Sequence, residues 1–497
     1  MNLSKSRYVK GIQCPKILWM DLHMPEQFND AALNQAALDT GSAVGDLAMG
    51  YFGDYVEVPF APQGFSAMAA TTRELLDAAT PVVCEATFAC DGCLCMVDIL
   101  LTEPDGVRLV EVKSSTCMSD IYLHDMAFQT WVLRRCGFNV KSAALMHLNN
   151  QYVRRGELDL RQLFTVEDCT EQVFAMQPEV GAAVERLKAV AEQPDEPPIA
   201  CGARCKKPYE CGYCGWCWRE LPAPNVFDLS RMQMKKGLEL LDRGIVSFQD
   251  LLDHKVKLNG RQAVQVRCEV EGLDTVIDRK AVAGFLDGLS FPLYFLDFET
   301  FQPAVPPFDG VRPYQQIPTQ YSLHVLREPG AELEHREFLA EAGKDPCRAV
   351  AERLVADIPM GACTLAYNMT FEKGRIGELA AAFPDLAEHL LAINAGMDDL
   401  LKPFSSGAYY ARAMGGSNSI KRVLPALFPD DPELDYHSLD GVHNGSEAMA
   451  VYADLVNMAS EEAARTRENL LRYCELDTYA MVKIWQKLVE VVGEIEG

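Results

Sequence analysis

The feature that most constrains this chain is a pair of acidic residues inside an apolar run. Asp297 and Glu299 lie at the end of a run that begins at Phe291 and predicts a central β-strand. Side chains two residues apart on a strand point to the same face. Two buried carboxylates on one face are costly unless a cation neutralises them. Because Mg²⁺ and Mn²⁺ prefer oxygen ligands, the sequence predicts a divalent metal site on this strand.

Three further residues are predicted to lie near this strand. Tyr473 and Asp477 are four residues apart in a strongly helical segment, 461–492, so both face one side of the helix. Glu372 opens an amphipathic helix directly after a short apolar strand, and α/β folds place ligand sites at such strand ends. The segment 416–421 is a candidate for the substrate groove.

Together these five residues resemble the DEDD exonuclease superfamily of the RNase H-like (DnaQ-like) fold, in the subtype with a tyrosine in its third motif. The resemblance implies that Asp297, Glu299, Glu372 and Asp477 bind two metal ions. One ion would help activate the attacking water and the other would stabilise the leaving oxygen. Tyr473 would orient the water, and hydrolysis would run 3′→5′. Glu372 departs from the family, which usually has aspartate in that motif.

A second acidic pattern lies in the N-terminal part. Asp98 and the Glu111-Val112-Lys113 triplet lie in two β-rich runs, separated by a turn signal at 104–106. If the runs pair as a hairpin, Asp98 lies near Glu111, and Lys113 shares the face of Glu111. Two carboxylates can hold Mg²⁺ or Mn²⁺, and the ammonium can stabilise charge developing on a phosphate. A helix that Ser119 is expected to cap carries Gln129.

Asp98, Glu111, Lys113 and Gln129 resemble the RecB-like branch of the PD-(D/E)XK nucleases. Glu85, on the preceding strand, is a weaker candidate for the same site. RecB-like relatives often place a histidine on an early helix, whereas the corresponding segment here, 41–48, contains Asp46 and no histidine. One metal ligand is therefore expected to be replaced or absent.

Clustered cysteines close the N-terminal part. The chain has 17 cysteines, which are not expected to form disulfides in a reducing compartment. The RecB-like nucleases with iron–sulfur clusters, which include CRISPR-associated exonucleases, use one cysteine before the nuclease core and three after it. The resemblance implies a [4Fe-4S] cluster on Cys14, Cys205, Cys211 and Cys217, with Cys201 and Cys214 as substitutes. A structural Zn²⁺ site drawn from the five local cysteines is the alternative. Cys90 and Cys93 have the spacing of a metal-binding pair, but they flank an Asp-Gly hairpin turn and are interpreted as structural.

Composition sets limits on organisation and partners. At 497 residues, the chain is long enough for two or three domains. The formal charge of −25 argues against a broad nucleic-acid-binding surface, although local groups of basic residues leave room for a basic channel. Neither a long apolar span nor an N-terminal apolar leader is evident, so a cytoplasmic protein without a membrane partner is expected.

The sequence thus predicts an α/β protein in three parts: a nuclease domain over 1–220, a mostly helical connector over 221–290 and an exonuclease domain over 291–497. Their order resembles a bacterial family that fuses two nucleases. The leading hypothesis is a metal-dependent nuclease with two active sites, acting on DNA or RNA from free ends. One alternative is a non-catalytic nucleic-acid-binding protein with degenerate sites, motivated by Glu372 and the missing histidine. Another is a redox-responsive scaffold whose iron–sulfur cluster senses oxidation.

Overall fold

The structure is a computed structural model that describes residues 2–29, 35–61 and 64–493. It divides the chain into two compact units. Unit 1 comprises Met1–Glu220 and Pro303–Gln315, and unit 2 comprises Leu221–Gln302 and Gln316–Gly497. Residues 221–290, predicted to be a separate connector, thus group with the C-terminal part. Within the described ranges, no helix is both long and apolar enough to cross a membrane.

Unit 1 is built on a seven-stranded mixed sheet with helices around it. Its strands are β1 (Leu3–Ser4), β2 (Val56–Glu57), β3 (Val82–Cys90), β4 (Cys93–Glu103), β5 (Gly106–Lys113), β6 (Val140–Leu148) and β7 (Phe164–Asp168). Its helices are α1 (Lys5–Gln13), α2 (Pro15–His23), α3 (Gln35–Met49), α4 (Phe65–Asp77), α5 (Asp120–Arg135), α6 (Leu160–Leu163), α7 (Thr170–Ala175), α8 (Gln177–Ala191) and α9 (Cys214–Cys217). The strand order is β2-β3-β4-β5-β6-β7, with β1 added in parallel to β4.

The predicted hairpin at the centre of this sheet is confirmed. β4 and β5 pair antiparallel around a two-residue turn in which Asp105 has a φ of 66°. β5 and β6 are parallel, and α5 forms the crossover between them, as parallel neighbours require. The buried side chains of α5, including Met126 and Phe128, join the apolar core of the sheet. The Asp-Gly turn after Cys90 joins β3 to β4, so that prediction is also confirmed.

Unit 2 contains a five-stranded sheet and a separate two-stranded ribbon. Its strands are β8 (Thr275–Ile277), β9 (Leu293–Phe301), β10 (Ile317–Leu326), β11 (Glu334–Leu339), β12 (Cys363–Ala366), β13 (Met397–Asp399) and β14 (Tyr409–Ala411). Its helices are α10 (Met234–Leu241), α11 (Phe248–Asp253), α12 (Gly260–Val270), α13 (Arg279–Leu286), α14 (Cys347–Asp357), α15 (Thr370–Ala382), α16 (Ala387–Ala395), α17 (Lys402–Ser406), α18 (Ile420–Leu427), α19 (Gly445–Asp454) and α20 (Ser460–Gly493). The sheet order is β11-β10-β9-β12-β13, and β8 pairs with β14.

The central strand of this sheet, β9, is apolar on both faces. Tyr294, Leu296 and Phe298 pack into a core that also contains residues of α14, α15 and α16. Leu293 and Phe295 point to the opposite face, into a core with α20. Since alternate residues share a face, Asp297 and Glu299 lie on the side that α20 covers. The fold class is therefore α/β, as predicted, with mixed sheets in both units.

Candidate active sites

The face of β9 that α20 covers carries a compact group of carboxylates. One oxygen atom from each of Asp297, Glu299 and Asp477 lies within 4.8 Å of the others. Asp477 is 8% exposed and Tyr473, one helical turn before it, is 2% exposed. Asp477 and Tyr473 thus lie on one face of α20, as predicted, and that face is buried. The structure brings four of the five predicted C-terminal residues together.

These acids ionise with difficulty because they are buried beside one another. Burial, reinforced by the charge of Asp477, raises the pKa of Glu299 to about 8. Burial also raises the pKa of Asp477 to about 6, although a hydrogen bond from Tyr436 and the charge of Lys421 oppose the shift. The pKa of Asp297 is raised well above its ordinary value, by burial first and then by Asp477. Such a group is stabilised by added positive charge.

Glu372, the departure from the expected pattern, lies beside this group rather than within it. It occupies the first turn of α15, is 3% exposed, and raises the pKa of Asp297 through its charge. Burial raises the pKa of Glu372 itself to about 8, with a further contribution from Asp399. Its Oε2 atom is buried and finds no hydrogen-bond partner among the described residues. An unpaired buried carboxylate oxygen is suited to a cation.

Two further side chains complete this site, and of these only Tyr436 had no sequence signal. The Tyr436 hydroxyl donates to Oδ1 of Asp477 at 2.6 Å. Lys421 donates to the Tyr473 hydroxyl at 3.3 Å, and its Nζ lies 5.6 Å from the ring centres of both tyrosines. Lys421 is the last residue of the segment predicted to contribute to a groove. It lines, with Tyr436, Phe428 and others, a cavity of about 880 Å³.

In unit 1 the β4–β5 hairpin brings Asp98, Glu111 and Lys113 together, and α5 adds Gln129. Lys113 donates to Oε1 of Glu111 at 2.6 Å, and Gln129 donates to Oε2 at 2.6 Å. Glu111 is fully buried. Asp98 accepts a hydrogen bond from the backbone N–H of Val112 at 2.7 Å.

Two further residues of this site were missed. The Nζ atom of Lys5 lies 2.9 Å from Oε1 of Glu111 and 3.5 Å from Oδ1 of Asp98. Asp125 accepts hydrogen bonds from Lys113 at 2.8 Å and from Gln129 at 2.9 Å. Asp125 is four residues before Gln129 on α5, a spacing that could have identified it. The position of Lys5 had no comparable signal.

The weaker N-terminal candidates face the same space. Asp46 and Glu85 line a cavity of about 410 Å³ with Lys5, Asp98, Glu111 and Lys113. Glu85 has a φ of 53°, and the register of β3 and β4 is the same on both sides of it, from Cys84–Ile99 to Ala86–Val97, which places Glu85 opposite Asp98. Burial raises the pKa of Glu85 to about 7, with a contribution from Asp98.

The two sites differ in how their charges are balanced. Burial would raise the pKa of Glu111, but Lys113 and Lys5 outweigh it and hold that pKa well below its ordinary value. Asp98 has a pKa of about 6, raised by burial and by Glu111. Lysines of the protein thus neutralise Glu111, whereas Asp98 keeps a raised pKa. In the C-terminal site the raised pKa values of the grouped acids show that the charge of Lys421 does not offset their burial.

The six cysteines considered for a cluster line one small cavity in unit 1. They are Cys14, Cys201, Cys205, Cys211, Cys214 and Cys217. Hydrogen bonds from Cys201 and Cys214 lower the pKa of Cys205, which favours the thiolate that metals bind. Cys14 lies at the start of α2 and reaches the same cavity from the other end of the unit's sequence. The donor set of this cavity therefore suits a thiolate-bound metal group.

Comparison with known proteins finds similar sequences, but none of them has an assigned activity. Residues 294–419 match the model of a domain of unknown function, DUF2779. This match includes Asp297, Glu299 and Glu372 but ends before α20. The chain is 29% identical over 210 residues to an uncharacterized protein of Mycoplasma pneumoniae, the MG366 homolog. That alignment covers 38% of this chain and 31% of the relative, so the chain spans about a third of the length of the relative it matches.

The raised pKa values predict how pH affects unit 2 without metal. Folded Glu299 and Glu372 bind protons up to about pH 8, whereas in the unfolded chain they release them near pH 4–5. Their contribution to the free energy of unfolding is therefore largest at low pH and is lost as the pH rises through 8. In EDTA, hydrogen exchange of peptides from β9 and α20 should speed up more steeply with pH than intrinsic exchange does. Glu299→Gln should reduce that excess slope, and Mn²⁺ should abolish it; an unchanged slope in Glu299→Gln would contradict the assignment.

The position of Lys5 predicts a stability effect in unit 1. Lys5→Ala leaves Asp98 and Glu111 facing each other with one lysine fewer, which should cost about 2–4 kcal/mol of unfolding free energy. Adding Mn²⁺ should restore part of this loss. Lys10→Ala is the matched control on α1, since Lys10 is 48% exposed and pairs with Asp21 at 3.7 Å; it should change stability by less than about 0.5 kcal/mol. Urea unfolding followed by hydrogen exchange of unit 1 peptides measures both.

Proposed function

We propose that this protein is a metal-dependent nuclease that hydrolyses phosphodiester bonds of DNA or RNA. The observation that carries the proposal is the grouping of Asp297, Glu299 and Asp477 within 4.8 Å of one another. The unpaired buried oxygen of Glu372 supports it. The sheet with β9 at its centre supports an RNase H-like assignment for unit 2, and by that resemblance the C-terminal site acts as a 3′→5′ exonuclease.

The residues of this site fit divalent cations. Asp297, Glu299 and Asp477, with Glu372 beside them, would hold Mg²⁺ or Mn²⁺, since these ions prefer carboxylate oxygens. When bound, the ions would supply an activated water and stabilise negative charge on the leaving oxygen. The raised pKa values of Asp297 and Glu299 mean that their ionised forms need a nearby positive charge.

The surrounding side chains position and polarise the reacting groups. The Tyr436 hydroxyl donates to Oδ1 of Asp477 and so orients that carboxylate. Burial raises the pKa of Tyr473 far above its ordinary value, so the phenol stays protonated and orients groups rather than removing protons. Lys421 donates to the phenol oxygen of Tyr473, and the phenol itself is hydrogen-bonded to the Asp477 carboxylate, so Tyr473 is held beside the acids that would bind the ions.

We further propose a PD-(D/E)XK, RecB-like nuclease site in unit 1. Asp98 and Glu111 would hold a divalent cation, Lys113 would stabilise charge on the phosphate, and Gln129 fixes Glu111. The cysteine cavity supports a [4Fe-4S] cluster on Cys14, Cys205, Cys211 and Cys217, with structural Zn²⁺ as the alternative.

One observation favours a second function for unit 1. The Lys5 ammonium lies between Asp98 and Glu111, where a divalent cation would have to bind. A protein-supplied cation in that place favours a degenerate site that binds nucleic acid without cutting it. In this second reading only the C-terminal site hydrolyses the polymer.

A nuclease time course separates these proposals. The full-length protein is incubated anaerobically with 5′-labelled single-stranded DNA or RNA and Mn²⁺. We expect a ladder that shortens from the 3′ end, and Asp297→Asn should slow it by about 10²-fold or more, because one metal ligand loses its charge. Asp385→Asn, which changes an exposed carboxylate of unit 2 paired with Arg348, is the matched control and should leave the rate unchanged.

The same assay with Lys113→Ala assigns the second site. Residual cleavage in Asp297→Asn that disappears in the double variant would place a second activity in unit 1. Cleavage that persists unchanged in the double variant would overturn the nuclease assignment of both sites. Tight binding of single strands with no cleavage in Mn²⁺ or Mg²⁺ would favour the binding protein instead.

The cluster proposal makes a separate prediction. Anaerobically purified protein should contain about four iron and four sulfide per chain, and Cys14→Ser should lose most of both, since Cys14 ties the start of unit 1 to its end. Cys347→Ser, a cysteine of unit 2, is the matched control and should keep the iron. Protein with one zinc and no iron would replace the iron–sulfur proposal with the zinc alternative.

A further inference from the structure

A third group of metal-ligating side chains lies in unit 2 outside the acidic site. His324 on β10 and His335 on β11 are cross-strand partners, and Glu475 lies on α20. One ligand atom from each of the three lies within 4.8 Å of the others. The two imidazole rings stack with their centres 4.5 Å apart. Nothing in the proposed nuclease chemistry uses these residues.

Two hydroxyls hold the imidazoles in place. Thr478 Oγ1 lies 2.8 Å from Nδ1 of His324, and Ser322 Oγ lies 2.9 Å from Nε2 of His335. The two hydroxyl oxygens are 2.6 Å apart, and Thr478 also donates to the backbone carbonyl of Glu475 at 3.1 Å. Ser322 and Thr478 are fully buried, so these contacts are not shared with solvent.

Only one assignment of protons makes all four contacts hydrogen bonds. A hydroxyl donates one hydrogen; that of Thr478 goes to the Glu475 carbonyl, so Ser322 must donate to Thr478. Each imidazole must then donate its own N–H to a hydroxyl oxygen. His324 therefore donates through Nδ1 and His335 through Nε2. In the neutral rings, Nε2 of His324 and Nδ1 of His335 are left with free lone pairs.

This arrangement leaves each ring ready to bind a metal. Ligating histidines in metal sites usually donate their second N–H to a neighbouring acceptor, which fixes the tautomer. Nδ1 of His335, the nitrogen with the lone pair, is 3.6 Å from Oε1 of Glu475. Glu475 is partly exposed and gives the site access to solvent.

We propose that His324, His335 and Glu475 bind a divalent transition metal of the Zn²⁺ type. Two imidazoles and one carboxylate are the donor set that zinc accepts, with a solvent molecule completing four positions. The site differs in chemistry from the all-carboxylate group around Asp297, which favours Mg²⁺ or Mn²⁺. We therefore expect Zn²⁺ to bind at the histidine site and Mg²⁺ or Mn²⁺ to bind at the carboxylate group.

Metal at this site would tie α20 to the edge of the sheet. Glu475 lies between Tyr473 and Asp477 on α20, and Ser322 pairs with Asp297 across β10 and β9. Binding at His324, His335 and Glu475 would thus fix the helix turn that carries Asp477 relative to the strand that carries Asp297. The inference concerns metal binding alone and stands whether or not unit 2 cuts nucleic acid.

The test measures zinc bound to the full-length protein. Anaerobically purified protein is dialysed against Zn²⁺ in excess Mg²⁺, and bound zinc is counted by mass spectrometry of the metal. We expect His335→Ala and Glu475→Gln each to bind one zinc fewer per chain than wild type. Ser322→Ala, which removes only an orienting hydroxyl, should weaken that zinc about 10–100-fold.

Matched variants make the result specific. Glu468→Gln changes an exposed glutamate of the same helix, and His254→Ala changes an exposed histidine of unit 2; both should keep the zinc. Zinc should also slow hydrogen exchange in peptides from β10, β11 and α20 of wild type but not of His335→Ala. The proposal is overturned if His335→Ala binds as much zinc as wild type, or if Asp297→Asn loses the zinc instead. Neither readout requires nuclease activity.

Discussion

The constraint on which the C-terminal unit depends is the burial of like charges between a central strand and a covering helix. β9 supplies two carboxylates and α20 supplies a third, in a place where the neighbouring side chains form an apolar core. That core packs the strand against the helix, and it also excludes the water that would otherwise solvate the charges. The same packing that stabilises the fold therefore creates a strong demand for positive charge, which is the physical basis for a metal site.

The two units meet this demand in different ways. In unit 1, two lysines reach the buried Glu111 and hold its pKa low, so the protein itself supplies the cations. In unit 2, Lys421 is exposed and the grouped acids keep raised pKa values. Buried acids without a neutralising partner in the protein favour binding of an external cation more strongly than acids that are already paired with lysine. This contrast is why the C-terminal site carries the main functional proposal and the N-terminal site admits a second interpretation.

Much of the fold was predictable because its signals are local. Alternating apolar residues and the turn at 104–106 predicted the β4–β5 hairpin, and helical spacing predicted α20 with Tyr473 and Asp477 on one face. Other features were not predictable. Residues 221–290 showed their helices but not that they group with unit 2. Tyr436 had no periodic pattern to mark it, and the offset of Glu372 from the tight carboxylate group depends on how α15 packs.

The sequence by itself determined which acids share a face, because the periods of strand and helix are fixed by the backbone over two to four residues. It also determined the donor chemistry of the carboxylate group around Asp297 and of the cysteine cavity. The tertiary structure decided which of these faces meet. Lys5 contacts Glu111 across 106 residues of chain, and Tyr436 contacts Asp477 across 41. His324 and Glu475, which are also far apart in the sequence, lie close together in the fold. Contacts of this kind follow from the packing of apolar faces, which no local pattern encodes.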